Sequence, residues 1–128
     1  MESAGPLSGL RVMLVDDELD ALEFLSVVLE TEGAHVATFA DPRAALEHLI
    51  AHPPDVLVSD LYMPRMTGWE LVEQARLRGV KTPAAALTAH PSRENRSRCV
   101  AAGFCACVSK PLSPRDLVHL VRELAGGR

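Results

Sequence analysis

Arg11-Val12-Met13-Leu14-Val15-Asp16-Asp17-Glu18 joins a short, continuous, β-branched run to three consecutive acids. Apolar residues without polar alternation are the pattern of a strand buried on both faces, as in a parallel sheet. Beyond the acids, Leu22, Leu25, Val28 and Leu29 recur at spacings of three and four across residues 20–32, and Gly33 supplies a helix stop. A buried strand followed by a one-faced helix is one βα unit. The same rhythm recurs five times along the chain, which predicts a parallel sheet covered by helices.

The later units carry their own punctuation. Residues 34–39 give a weaker second strand, and Asp41-Pro42 is an N-cap with a proline at N1, opening a helix through Ile50 that Pro53-Pro54 closes. Residues 55–59 are a third strand, running into Asp60 and the loop 61–68, after which residues 69–78 resume helical period. Pro83-Ala84-Ala85-Ala86-Leu87 has low strand propensity, yet its small apolar residues between two helices suit a buried strand ended by Thr88. Residues 91–102 read as a helix stopped by Gly103, residues 105–109 as the fifth strand, and Ser113-Pro114 as the start of a last helix through Leu124. Residues 1–9, with Gly5, Pro6, Ser8 and Gly9, read as a flexible lead-in, residues 10–125 as one domain, and residues 126–128 as a frayed end.

The totals exclude several classes of function. A chain of 128 residues supports one core, and its 48% hydrophobic and 23% charged content suits a packed interior with a solvated surface. A net charge of −4, with thirteen scattered Lys and Arg, opposes nucleic-acid binding. No apolar run approaches the roughly 20 residues that span a bilayer, and the first residues have neither a basic nor an apolar region, so a cytoplasmic location without membrane insertion is expected. Cys99, Cys105 and Cys107 show no paired CxxC spacing. They read as small buried hydrophobes, with redox chemistry as the alternative.

In a parallel sheet with right-handed crossovers, the ligand site lies beyond the carboxyl ends of the strands. The residues there are Asp16 and Asp17 after the first strand, Asp60 after the third, Thr88 after the fourth and Lys110 after the fifth. Three carboxylates at one place repel one another unless a cation sits among them, and oxygen donors without His or Cys suit Mg²⁺. Such a site favours phosphoryl chemistry, with Asp60 as nucleophile and with Lys110 and the Thr88 hydroxyl on the phosphoryl oxygens. A single Asp after a strand ordinarily caps a helix or makes an Asx-turn. Capping does not account for the additional Asp, the Thr and the Lys at the other strand ends.

Val15-Asp16-Asp17-Glu18, the loop Ser59-Asp60-Leu61-Tyr62-Met63-Pro64-Arg65-Met66-Thr67-Gly68, Ala86-Leu87-Thr88-Ala89 and Ser109-Lys110-Pro111-Leu112 together resemble the receiver domains of two-component signalling, in the right order over residues 10–124. The resemblance implies an α/β, flavodoxin-like (βα)₅ three-layer sandwich with strand order 2-1-3-4-5. It implies that Asp60 is phosphorylated by a histidine kinase or a histidine phosphotransfer protein. Asp17, Asp60 and the Tyr62 carbonyl would bind Mg²⁺, with Asp16 acting through water, and Thr88 and Lys110 would sense the phosphoryl group. A cis Lys110-Pro111 bond is expected on the same ground. Output would pass through the face around the fourth helix, fifth strand and fifth helix, with no enzyme activity beyond autophosphorylation and autodephosphorylation.

Cys107 departs from the family pattern, because many receivers have Tyr or Phe three residues before the fifth-strand Lys. The stretch from Ala102 to Pro111 is more similar to receivers attached to hybrid histidine kinases than to those of DNA-binding regulators. Tyr62 and His90 would rim the site, His90 either steering water or being simply solvated. His35, His48, His52 and His119 lie away from the strand ends, and Trp69 reads as a packing residue at a helix start. Other readings are a phosphorylation-independent interaction module on the same fold, and an aspartate-nucleophile phosphatase, which would need an acid two residues after Asp60 where Tyr62 stands. A flavin or nucleotide protein would need a glycine-rich first turn in place of Asp16-Asp17.

Overall fold

The computed structural model describes residues 5–126. Ten elements alternate in them: β1 (Arg11–Val15), α1 (Leu19–Thr31), β2 (His35–Phe39), α2 (Pro42–Ala51), β3 (Val56–Asp60), α3 (Gly68–Leu77), β4 (Ala84–Thr88), α4 (Arg93–Ala102), β5 (Ala106–Ser109) and α5 (Pro114–Ala125). Every strand pairing is parallel, and the order is β2-β1-β3-β4-β5. This is the flavodoxin-like arrangement expected.

Side-chain alternation along a strand divides the central strands between two cores. Met13 and Val15 of β1 and Leu57 of β3 join Leu49 of α2, Trp69 and Leu71 of α3 and Cys99 of α4. Val12 and Leu14, with Val56 and Val58, join Leu22 and Leu29 of α1 and Leu117 and Val121 of α5. Both faces are covered, which is why these strands are apolar without interruption. Ala84, Ala85 and Ala86 of β4 are completely buried. Ladder partners on both edges override their weak propensity, and Trp69 and Phe104 occupy the cluster on the face that Ala84 and Ala86 share.

Caps set the helix boundaries within two residues of those expected. Thr67 Oγ1 accepts from the Glu70 N–H at 3.1 Å while Glu70 Oε1 accepts from the Thr67 N–H at 2.9 Å, so α3 begins at Gly68. Ser92 Oγ accepts from the Asn95 N–H at 3.0 Å, which places Pro91 outside α4. Asp41 caps α2 and Ser113 caps α5, each followed by a proline at N1. The Lys110-Pro111 bond is cis.

Two expectations need correction. The lead-in is docked over residues 5–9, because Leu7 is 0% exposed in the α1/α5 core and its N–H donates to the Glu32 carbonyl at 2.9 Å. Ser8 then runs so close to Gly33 that a Cβ there would stand 2.9 Å from the Ser8 Cα, and Gly33 has φ 104°. Residues 1–4 of that lead-in, and 127–128 of the frayed end, lie outside the described residues; the Gly126 N–H still donates to the Arg122 carbonyl at 3.0 Å. Of the cysteines only Cys99 is buried, while Cys105 is exposed and Cys107 half-buried, because β5 is an edge strand.

If residues 5–9 are part of the core, Leu7→Ala is expected to lower the unfolding free energy by roughly 2–5 kcal/mol, against little change for the exposed Ser8→Ala. Urea unfolding of both variants measures this.

Candidate functional site

Strand register builds the site. Val15 pairs with Ser59, so Asp16 and Asp60, each the next residue, leave adjacent strands side by side. Thr88 pairs with Ser109, and the Lys110 N–H donates to the Thr88 carbonyl at 2.8 Å, which fixes the start of the β5–α5 loop. From there the Lys110 ammonium reaches back across the sheet edge, 3.0 Å from Asp16 Oδ2 and 3.7 Å from Asp60 Oδ1. Asp16, Asp17 and Asp60 offer carboxylate oxygens within 4.8 Å of one another.

Burial and charge act together at this edge. The Asp16 and Asp60 side chains are 4% and 12% exposed, whereas Asp17 is exposed. Desolvation raises the Asp60 pKa above the ordinary carboxylate value; Asp16 and Asp17 add to the rise, and Lys110 and the Leu61 N–H oppose it without cancelling it. Desolvation works to lower Lys110, but the hydrogen bond to Asp16 and the charges of Asp16, Asp60 and Glu18 outweigh it and raise the ammonium's pKa. One cation thus faces three carboxylates. The set has room, in charge and in oxygen donors, for a hard divalent ion.

The rest of the loop holds Asp60 in place. The Leu61 N–H donates to Asp60 Oδ1 at 2.8 Å, and the Gly68 N–H donates to the Leu61 carbonyl at 2.8 Å. A Cβ at Gly68 would lie 2.3 Å from the Asp60 carbonyl oxygen, so the loop can fold back beneath Asp60 only with glycine there. Asp16 Oδ1 accepts from the Glu18 N–H at 3.0 Å, the Asx-turn that its position allows.

Not every expected residue points into this cluster. Thr88 is completely buried, and its hydroxyl accepts from the His90 N–H at 3.0 Å; it meets Lys110 through its backbone carbonyl. The Tyr62 ring is turned outward, edge-on to Trp69 at 5.4 Å and to His90 at 5.7 Å. Its hydroxyl accepts from Asn95 Nδ2 at 2.9 Å. Among the described residues no hydrogen bond reaches the Tyr62 carbonyl. Sequence reasoning missed Asn95 and Arg98, whose guanidinium sits 4.2 Å from the Trp69 ring centroid. Asn95 ties α4 to the loop after Asp60 and Arg98 ties it to the start of α3, by side-chain contacts between distant residues, which leave no periodic signal.

Residues 12–122 match the family described as the response regulator receiver domain. The chain belongs to that family, the receiver domains of two-component signalling. An uncharacterised 14.6 kDa protein of Leptolyngbya boryana is 37% identical over 119 residues, 91% of each chain. A protein of Oryza sativa subsp. indica named "Probable histidine kinase 2" is 30% identical over 145 residues, covering 99% of this chain but 14% of that protein. The solved structure of the chemotaxis response regulator CheY4 of Vibrio cholerae superimposes with a TM-score of 0.84 at 32% identity, covering 92% of this chain and 98% of the other. No helix among the described residues is long and apolar enough to cross a membrane.

A carboxylate whose pKa is raised in the fold opposes folding when ionised. With a chelator present, Asp60→Asn is therefore expected to raise the urea midpoint at neutral pH. The sign follows from linkage: the wild-type penalty is absent below the unfolded pKa, near 3.8, and grows as the pH rises through the higher folded value. The gap between the two proteins should close on acidification, and urea melts along a pH series measure it.

Proposed function

We propose that this chain is a phosphoacceptor switch in which Asp60 takes a phosphoryl group from a phosphohistidine donor. The observation that carries the reading is the convergence of three carboxylates and Lys110 on one sheet edge, with Asp60 raised in pKa and braced by its own loop. An Asp60 oxygen attacks phosphorus as the phosphorus–nitrogen bond of the donor breaks. The electron pair stays on that nitrogen and the ring's other nitrogen carries a proton, so the donor leaves as neutral imidazole and an acyl phosphate remains on Asp60. Lys110, held between Asp16 and Asp60, offers its ammonium to a phosphoryl oxygen. Asp17, Asp60 and the unengaged Tyr62 carbonyl would hold Mg²⁺, with Asp16 acting through water; the ion, when bound, offsets the charge of carboxylates and phosphoryl oxygens together.

The consequence for shape runs through Thr88. Its hydroxyl now holds the His90 N–H; turning toward a phosphoryl oxygen loosens that hold on the loop leading into α4. That helix is poised to respond, since it buries only Cys99 and Ala102 and carries Arg93-Glu94-Asn95-Arg96-Ser97-Arg98 along its first half. Phosphorylation then shifts the population of α4, β5 and α5 arrangements and alters partner binding there. Beside the site, Phe24 of α1 and Pro111 and Leu112 of the β5–α5 loop line one groove that includes Lys110, and Leu19 and Val27 are exposed on the same helix. An apolar surface bordering the phosphoacceptor suits the donor, a histidine kinase or histidine phosphotransfer protein.

The position two after Asp60 supplies a phenol turned toward α4 and no carboxyl, so steady phosphomonoester turnover is not expected. Incubation with acetyl phosphate and Mg²⁺ is expected to add one phosphoryl mass to the wild type, none to Asp60→Asn, and none when the metal is chelated. Intact-mass spectrometry reads all three, and an adduct on Asp60→Asn would move the acceptor elsewhere. Thr88→Ala is expected to accept the phosphoryl group yet lose the change in α4, read by amide hydrogen exchange over residues 93–102 before and after phosphorylation. An unchanged response in that variant would remove Thr88 from the path.

A further inference from the structure

The phosphoacceptor reading leaves the cysteines unused, and two of them meet. Cys99, 1% exposed on the inward side of α4, and Cys107, half-buried on β5, pack in the same apolar cluster. Cys107 is the neighbouring group that perturbs the Cys99 thiol, and Trp69 packs in the same cluster. The Trp69 indole nitrogen is the one buried side-chain nitrogen or oxygen among the described residues with no hydrogen-bond partner. One turn earlier on α4, Arg96 donates to the Cys107 carbonyl at 3.3 Å. Arg96 and Cys99 therefore bring successive turns of α4 against the same residue of β5. Cys105 is exposed and lines the groove shared with Arg76, Lys81 and Leu120.

We propose that Cys99 and Cys107 form a peroxide-sensitive dithiol that closes to a disulfide and ties α4 to β5. Cys107 is the attacking sulfur, because it is open to solvent. Cys99 is sealed in the core, where burial and the neighbouring Cys107 thiol push it up to about 11. The Cys107 thiolate cleaves the oxygen–oxygen bond of hydrogen peroxide, becoming a sulfenic acid; the hydroxide released takes up the proton that the thiol gave and departs as water. The Cys99 sulfur then displaces the sulfenic oxygen, which leaves with the Cys99 proton as a second water. Two thiols and one peroxide give one disulfide and two waters, and the two electrons lost by sulfur are those gained by the peroxide.

What the bond would do rests on the phosphoacceptor reading above. Held to β5 near its middle, α4 loses the freedom that a turn of Thr88 would exploit, so oxidation silences output while leaving Asp60 able to accept the phosphoryl group. Cys107 stands where many receivers place a switching aromatic ring, so in this chain a thiol occupies the position that faces α4.

The test uses the Cys105→Ser protein, treated with excess hydrogen peroxide, alkylated, and cut after Phe104 and after arginine. The intact protein is expected to lose two hydrogens, and the peptides carrying Cys99 and Cys107 should stay joined until a reductant is added. In the same background Cys107→Ser should lose none. Two alkylated thiols, or oxygen addition without cross-linking, would overturn the proposal. Amide exchange over residues 93–102, with and without acetyl phosphate, separates the two readings. The reduced protein is expected to respond and the oxidised protein to lose that response; a response that survives the disulfide would break the link to output. A reduced protein that takes no phosphoryl group would sink the phosphoacceptor reading while the cross-link stands.

Discussion

The ion pair between Lys110 and Asp16 is the contact on which the acidic edge depends. Asp16 is almost wholly out of water and Asp60 nearly so, and each would oppose the other's charge without a shared cation. A lysine rooted beyond β5 can supply it only because β5 stops level with β4, where the Lys110 N–H meets the Thr88 carbonyl. Strand order, strand length and the loop after β5 are therefore all conditions of keeping two desolvated carboxylates beside each other. The compensation is incomplete, as the raised pKa of Asp60 records, and the edge is left with negative charge that Lys110 alone does not offset.

Stability and responsiveness are distributed unevenly around this edge. The inner strands are committed on both faces, and β4 fills its place with three alanines that leave the volume to Trp69 and Phe104. By contrast α4 buries two small side chains and is otherwise held by polar and cation–π contacts from Asn95, Arg96 and Arg98. Contacts of that kind exchange readily with water and individually contribute little. The sheet is thus the fixed frame, and α4 is held to it largely by contacts that water can replace.

Much of this was legible in the chain itself. Uninterrupted apolar runs marked the inner strands, and Asp41-Pro42 and Ser113-Pro114 marked two helix starts. The acids and Lys110 at strand ends fall together as soon as the topology is assigned. What stayed hidden was set by distance in sequence. Leu7 is a single apolar residue among Gly, Pro and Ser and has no period to reveal its burial. The three cysteines differ in exposure because β5 is an edge strand, a property of the sheet and not of the residues. The turn of the Thr88 hydroxyl toward His90 and of the Tyr62 ring toward α4 are rotamer choices that spacing cannot convey.

The docking of Leu7 has a practical corollary. The segment around it approaches β1 from the amino ends of the strands, alongside Gly33 and Glu32, whereas the carboxylates gather at the opposite rim. A tether attached ahead of Gly5 would hold the molecule by its far end and present the acidic rim outward. The fold supplies its own orientation for immobilisation on a sensor surface.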